Sequence, residues 1–151
     1  MYVIREFMRD DHELLDRLLA EFLELKGRDP ALARVRFAHI KTLILRRMAL
    51  EDRVLFPFYE GRHETADGIP TRTMREQHRQ ILEVLELLEV ELAAGLRPTD
   101  RLEHELHDLL TLHVAMEEEF FIPWVQRLDV VAGRSLQAKL AAFAPEPAPR
   151  R

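Results

Sequence analysis

The chain has 151 residues, of which 47% are hydrophobic, a formal charge of -5 and no cysteine. This length supports one domain, and the absence of cysteine excludes disulfides and thiolate sites, so any metal must be bound by nitrogen and oxygen ligands. The chain has a net negative charge and no block of basic residues, which argues against nucleic acid as a partner. No apolar run reaches membrane-spanning length and the N-terminus lacks a signal-peptide layout, so we expect a cytoplasmic protein without a membrane anchor.

Helices are predicted throughout the chain, the first of them opening at residue 10. Asp10 and Glu13 form a capping box that predicts the start of the first helix, whose apolar residues recur at helical spacing as far as Gly27. The pair Asp29-Pro30 predicts the start of a second, long helix that ends near Gly61. These two helices would make a first hairpin.

A loop over residues 62–71 is predicted to lead into a second hairpin. Thr73 and Glu76 form another capping box, which predicts the start of the third helix. Its apolar residues continue at helical spacing until Gly95, where we expect the helix to stop.

The fourth helix is predicted to begin at the capping box of Asp100 and Glu103 and to run to about Pro123. Residues 132–143 have the pattern of a short fifth helix, and the proline-rich stretch 144–149 is typical of a flexible tail. No stretch alternates apolar and polar residues as a strand would. The sequence therefore predicts an all-α fold.

The second hairpin repeats the first at an offset of 66 residues. Two similar helical hairpins in tandem predict an antiparallel, up-down four-helix bundle. We place this bundle in residues 1–128, followed by a short C-terminal helix and tail in residues 129–151.

The residues that match across the repeat are of metal-ligand types. His12 matches His78 and Glu51 matches Glu117, while His113 lies one helical turn before Glu117. Helical spacing turns all five side chains inward at a similar height in the bundle. An inward carboxylate is costly unless something satisfies it, and a metal ion is the usual partner.

These motifs resemble those of the hemerythrin-like, HHE cation-binding family. The resemblance covers roughly residues 7–128 and rests on the segments Asp11–Leu15, Glu51–Pro57, Glu76–His78 and His113–Pro123. It implies a non-heme di-iron centre inside the bundle. By this resemblance Glu51 and Glu117 would bridge the irons, His78 and His113 would cap one metal, and His12 would cap the other.

A departure from the family's pattern at a ligand position changes the expected site. The family has a histidine one turn before the first bridging glutamate, and here that residue is Arg47, the repeat partner of His113. Arginine stays protonated and cannot ligate a metal. The position near His12 would therefore lose one of its imidazoles.

Three interpretations of Arg47 are open. In the first, Arg47 swings aside and water completes a di-metal centre. In the second, the guanidinium takes the vacated position, hydrogen-bonds Glu51 and leaves one metal on His78, His113 and the carboxylates. In the third, no metal binds, Arg47 neutralises the carboxylates and the histidines are hydrogen-bonded core residues.

The predicted function is that of a metal-binding protein with one or two iron ions per chain, although manganese or zinc would also suit the ligands. It would bind or sense O2, another small diatomic, peroxide or iron itself. The alternatives are an iron-dependent peroxidase or oxidase, and a metal-free interaction module. Binding is favoured over turnover. Since no output domain is visible, the partner would be a second copy of the chain or a separate protein.

Overall fold

The computed structural model describes the backbone of residues 2–62, 69–95 and 99–143, and the side chains of residues 12–62, 70–95 and 99–143. Within these ranges there are no strands, which confirms the all-α prediction. The α-helices of the described residues are α1 Tyr2–Lys26, α2 Pro30–Leu50, α3 Phe56–Arg62, α4 Ile69–Ala94, α5 Asp100–Met116, α6 Ile122–Gln126 and α7 Val130–Ala142.

Two π-helical segments lie within the long helices of the hairpins. The first, π1, spans Glu51–Leu55 between α2 and α3, and the second, π2, spans Glu117–Phe121 between α5 and α6. The residues flanking each segment keep right-handed helical angles, so the helix is continuous through both. Each π segment begins at a glutamate of the matched pair, which makes the sequence repeat a structural one.

The helices pack as a bundle around two apolar clusters. Helix α1 packs against α2, α4 against α5, and α2 against α4. The larger cluster contains Phe22, Phe37, Ile40, Ile44, Ile81, Leu85, Leu88 and Leu106. The smaller one contains Leu55, Phe56, Met74, Phe121, Trp124, Val125 and Leu136. Along α2, α4 and α5, with the π segments that follow α2 and α5, the candidate ligands fall between the two clusters, so a polar layer of Glu51, His78, His113 and Glu117 separates them.

Two of the predicted helix starts are wrong. Helix α1 begins at Tyr2 and runs through Asp10, because a polar pair with capping-box spacing also occurs inside helices. Helix α4 begins at Ile69, four residues before Thr73, and Pro70 lies in its first turn, where the missing N–H is tolerated. Most of the loop predicted over residues 62–71 lies outside the described residues.

The other helix starts follow aspartate and threonine caps. Asp29 accepts a hydrogen bond from the Leu32 N–H at 3.1 Å, which confirms the predicted start of α2. Asp129 caps α7 in the same way, and this helix begins at Val130, two residues before the predicted start. Helix α5 is preceded by Thr99 rather than capped by Asp100, so that prediction is off by one residue. The predicted tail over residues 144–149 lies outside the described part of the chain.

The two acids predicted to cap α5 bind a lysine of the other hairpin instead. Lys26 Nζ, at the end of α1, donates to Asp100 Oδ1 and to both oxygens of Glu103 at 2.8 Å. The Thr99 hydroxyl donates to Glu103 Oε1 at 2.6 Å. These contacts tie the end of α1 to the start of α5.

Candidate metal centre

The five predicted ligands all turn toward the interior of the bundle. Glu51 and Glu117 are completely buried, and His78 and His113 are 5% and 6% exposed. His12 lies at the edge of the layer, with 17% of its side chain exposed. The inward orientation predicted from helical spacing is thus found for each of them.

Three of these residues converge on one point. Glu51 Oε2 lies 2.9 Å from His78 Nε2 and 3.0 Å from His113 Nε2, and the two Nε2 atoms are 3.3 Å apart. Glu51, His78 and His113, which we call the Glu/His/His triad, offer ligand atoms that all lie within 4.8 Å of one another. Glu117 Oε1 lies 3.1 Å from His113 Nε2 and borders the same point.

Arg47 occupies the opposite side of the carboxylates. Its Nε donates to Glu51 Oε1 at 2.5 Å, and its Nη2 donates to Glu117 Oε2 at 3.2 Å. His12 Nε2 also lies 3.0 Å from Glu117 Oε2. Each carboxylate therefore directs one oxygen to the triad side and the other to the Arg47 side.

Each histidine of the triad is oriented by a hydrogen bond at its Nδ1 atom. His78 Nδ1 donates to Asp52 Oδ1 at 3.0 Å, and His113 Nδ1 donates to Gln77 Oε1 at 3.0 Å. Because these oxygens are acceptors, each Nδ1 carries the proton and each Nε2 faces the buried side. Partners of this kind fix the tautomer and ring orientation of metal-binding histidines.

Arg75 in turn holds Asp52. Arg75 Nη1 donates to Asp52 Oδ1 at 3.3 Å, and its Cζ lies 5.1 Å from the centre of the Phe56 ring. Phe56 stacks on His78 with 5.4 Å between ring centres. Asp52 and Gln77 are each adjacent to a predicted ligand, and that adjacency is the one signal in the sequence that points to their contacts with the triad histidines.

In this layer, hydrogen bonds and nearby charges together shift the pKa values of Glu51 and His113 more than burial does. Burial raises the pKa of Glu51, but the charge of Arg47 and the hydrogen bonds from His113 and His78 hold that pKa well below its usual range. Burial lowers the pKa of His113, but Glu117 and Glu51 raise it to about 10. When both glutamates are ionised, Arg47 and a protonated His113 balance their charge.

The residues of the layer fit a metal ion. Glu117 Oε1 is buried and has no hydrogen-bond partner, because its contact with His113 lacks hydrogen-bond geometry. A buried acceptor without a partner is costly, and a cation beside it would satisfy it. Two imidazoles with carboxylates form a donor set that suits iron, manganese or zinc.

A comparison with protein families identifies this arrangement. The model of the hemerythrin HHE cation-binding domain matches residues 3–125. The chain belongs to this family. No curated protein and no solved structure matched the chain. The resemblance inferred from the motifs is therefore confirmed, and the buried Glu/His/His triad of this hemerythrin HHE domain indicates non-heme metal binding.

The two halves of this hemerythrin HHE domain differ at the polar layer. Asp52 and Glu118 are repeat partners, yet Asp52 holds His78 while Glu118 is exposed. His113 joins the triad, whereas its repeat partner Arg47 ion-pairs with the glutamates. None of the described helices is long and apolar enough to cross a membrane.

Proposed function

We propose that this hemerythrin HHE domain binds one non-heme metal ion, with iron as the physiological metal, at Glu51, His78 and His113. Glu117 Oε1 would complete the protein ligands. Arg47 acts as a fixed cation in place of a second metal. The observation that carries the proposal is the division of the carboxylate oxygens between the triad and the guanidinium.

The contacts of Arg47 argue against a displaced side chain and a second metal. Arg47 donates to both buried glutamates, and removing one partner of such a buried ion pair typically costs about 3–5 kcal/mol. A second metal in the place of the Arg47 guanidinium would have one imidazole ligand among the five predicted residues, that of His12. We therefore prefer one ion per chain to the dinuclear centre of the family resemblance.

Two contacts argue against a permanently metal-free bundle. Asp52 and Gln77 orient both triad histidines so that their Nε2 atoms face one point 3.3 Å apart, as two ligands of a single cation would. The partnerless Glu117 Oε1 borders the same point. The charge balance through Arg47 would let the chain fold first and bind metal afterwards.

When bound, iron would supply an open coordination position for O2, another small diatomic or peroxide. The chain's own residues would bind the metal, exclude water through the burial of the triad, and keep a positive charge beside it at Arg47. Because Arg47 is bound by both glutamates, it is not available to stabilise a substrate, and so we propose binding or sensing rather than turnover. We further propose a cytoplasmic location, with a second copy or a separate protein as partner.

Metal content per chain tests this proposal directly. Protein grown with iron and purified without oxygen or chelators is expected to contain close to one iron per chain by elemental mass spectrometry. A content near two would overturn the mononuclear site. A content near zero that persists after reconstitution with iron, manganese and zinc would favour the metal-free interaction module.

A variant at Arg47 tests the role of the guanidinium. Arg47→His restores an imidazole one turn before Glu51, and we expect the metal content to rise from one ion toward two. Arg34→His, at an exposed position of the same helix outside the layer, is the matched control and should leave the content at one. An unchanged content in Arg47→His would show that the arginine does not stand in for a ligand.

A further inference from the structure

A cavity of about 340 Å³ lies beside the polar layer, on the Arg47 side. Residues of α1, α2, α4, α5 and α7 form its walls, and most of them are apolar, among them Leu15, Leu43, Ile44, Ile81, Leu110 and Val114. Ligand pockets in proteins typically measure roughly 300–1,000 Å³ and have mainly apolar walls with a few polar groups. The cavity is thus large enough for a small organic molecule.

The charged groups around the cavity leave a positive charge uncompensated. Arg47 is bound by Glu51 and Glu117, and Glu117 is the single carboxylate among the described lining residues. Arg46 also lines the cavity, is exposed, and makes no hydrogen bond or ion pair with any residue in the described part of the chain. Its exposure places Arg46 where the cavity opens to solvent.

We propose that this cavity binds a medium-chain monocarboxylate. The alkyl chain would lie along the apolar walls, and the carboxylate would accept hydrogen bonds from Arg46, since a guanidinium presents a fork that matches a carboxylate. This site does not depend on the metal. Each added methylene that enters the cavity should tighten binding about fourfold, until the chain fills it.

Titration calorimetry of the metal-free protein with decanoate tests the proposal. We expect saturable binding at one site, weaker binding of octanoate, and binding of the neutral analogue 1-decanol at least tenfold weaker than that of decanoate. Arg46→Gln should weaken decanoate binding about tenfold, because a charge-assisted hydrogen bond is lost. Arg34→Gln, at an exposed position of α2 away from the cavity, should bind like the unmodified protein.

A second pair of variants tests the cavity rather than its charge. Ala141 lines the cavity from α7 and is exposed, so Ala141→Phe should block the opening while the core stays intact. Ala138→Phe, one turn earlier on the same helix and outside the lining, is the control. We expect decanoate binding to be abolished in the first variant and kept in the second, with equal helix content by circular dichroism.

Three results would overturn the proposal. One is the absence of decanoate binding to the metal-free protein. Another is equal binding of decanoate and 1-decanol together with an unchanged affinity in Arg46→Gln, which would mean a purely apolar cavity. The third is binding that requires loaded metal and is competed equally by acetate, which would assign the carboxylate to the metal. That last result would leave the metal proposal standing, so the two proposals fail separately.

Discussion

Asp52 and Glu118 occupy equivalent positions in the two hairpins but have different surroundings. Asp52 accepts the Nδ1 proton of His78, whereas Glu118 is exposed. Asp52→Asn keeps an acceptor for His78 but removes the negative charge that makes the imidazole a stronger ligand. We expect metal affinity to fall roughly tenfold or more in chelator competition titrations. Glu118→Gln removes the same charge from the repeat partner, and an equal loss there would assign the effect to overall charge.

His113 makes the stability of the metal-free protein depend on pH. Its folded pKa of about 10 lies above the ordinary value of 6.5, so the imidazole binds its proton more tightly in the folded state than in the unfolded state. This stabilisation is fully present below pH 6.5 and is lost as the pH rises through 10. Thermal midpoints should therefore fall across that window.

The comparison of two variants isolates this effect from other titrating groups. His113→Gln should show a flatter decline of the midpoint between pH 6.5 and 10 than the unmodified protein. His104→Gln, at an exposed position of the same helix, should follow the unmodified protein. Parallel curves for all three proteins would contradict the assignment of the charge to His113.

At single residues, helical spacing predicted which side chains turn inward but not what they contact. A rotation of 100° per residue is a property of one helix, and it was sufficient for Glu51, His78 and His113. The hydrogen bonds of Asp52 and Gln77 depend on how neighbouring helices are rotated and spaced. That information comes from the packing of the whole bundle, so no local sequence pattern could predict these hydrogen bonds.

The helices and their ends show the same division between local and tertiary information. Asp29 caps α2 through its own side chain, and the sequence predicted that start. The segments π1 and π2 add a residue to a helical turn, which is unfavourable in an isolated helix and is found at functional sites. Their stabilisation must come from the packing around Glu51 and Glu117, so helix propensities alone do not predict the two π segments.

Lys26 connects elements that are far apart in the chain. It donates to Asp100 and Glu103, and the Glu103 side chain is 10% exposed. Lys26→Met would leave this partly buried carboxylate without its cation, at a cost of about 1–3 kcal/mol in the free energy of unfolding by urea. Arg28→Met removes an exposed pair with Glu24 and should cost under about 1 kcal/mol. Equal losses would mean that the Lys26 contacts are no stronger than surface ones.

At the scale of the whole molecule, α7 belongs to the same core as the polar layer. Leu136 is completely buried and joins the cluster of Phe56, Phe121 and Trp124. Helix α7 also contacts π1, the segment that begins with Glu51. The boundary between residues 128 and 129 stays a prediction, but the packing indicates that both sides of it fold together.

Leu136→Ala tests whether α7 and the bundle unfold as one unit. Removing this buried side chain should cost about 2–5 kcal/mol, since the rigid aromatic neighbours cannot fill the space. Val131→Ala, at a position 79% exposed on the same helix, should change stability little. Because α7 contacts π1, we expect one cooperative urea transition, shifted to lower denaturant in Leu136→Ala, by both circular dichroism and Trp124 fluorescence. Two transitions, with the fluorescence change first, would instead make α7 a separate unit whose packing does not support the metal-binding layer.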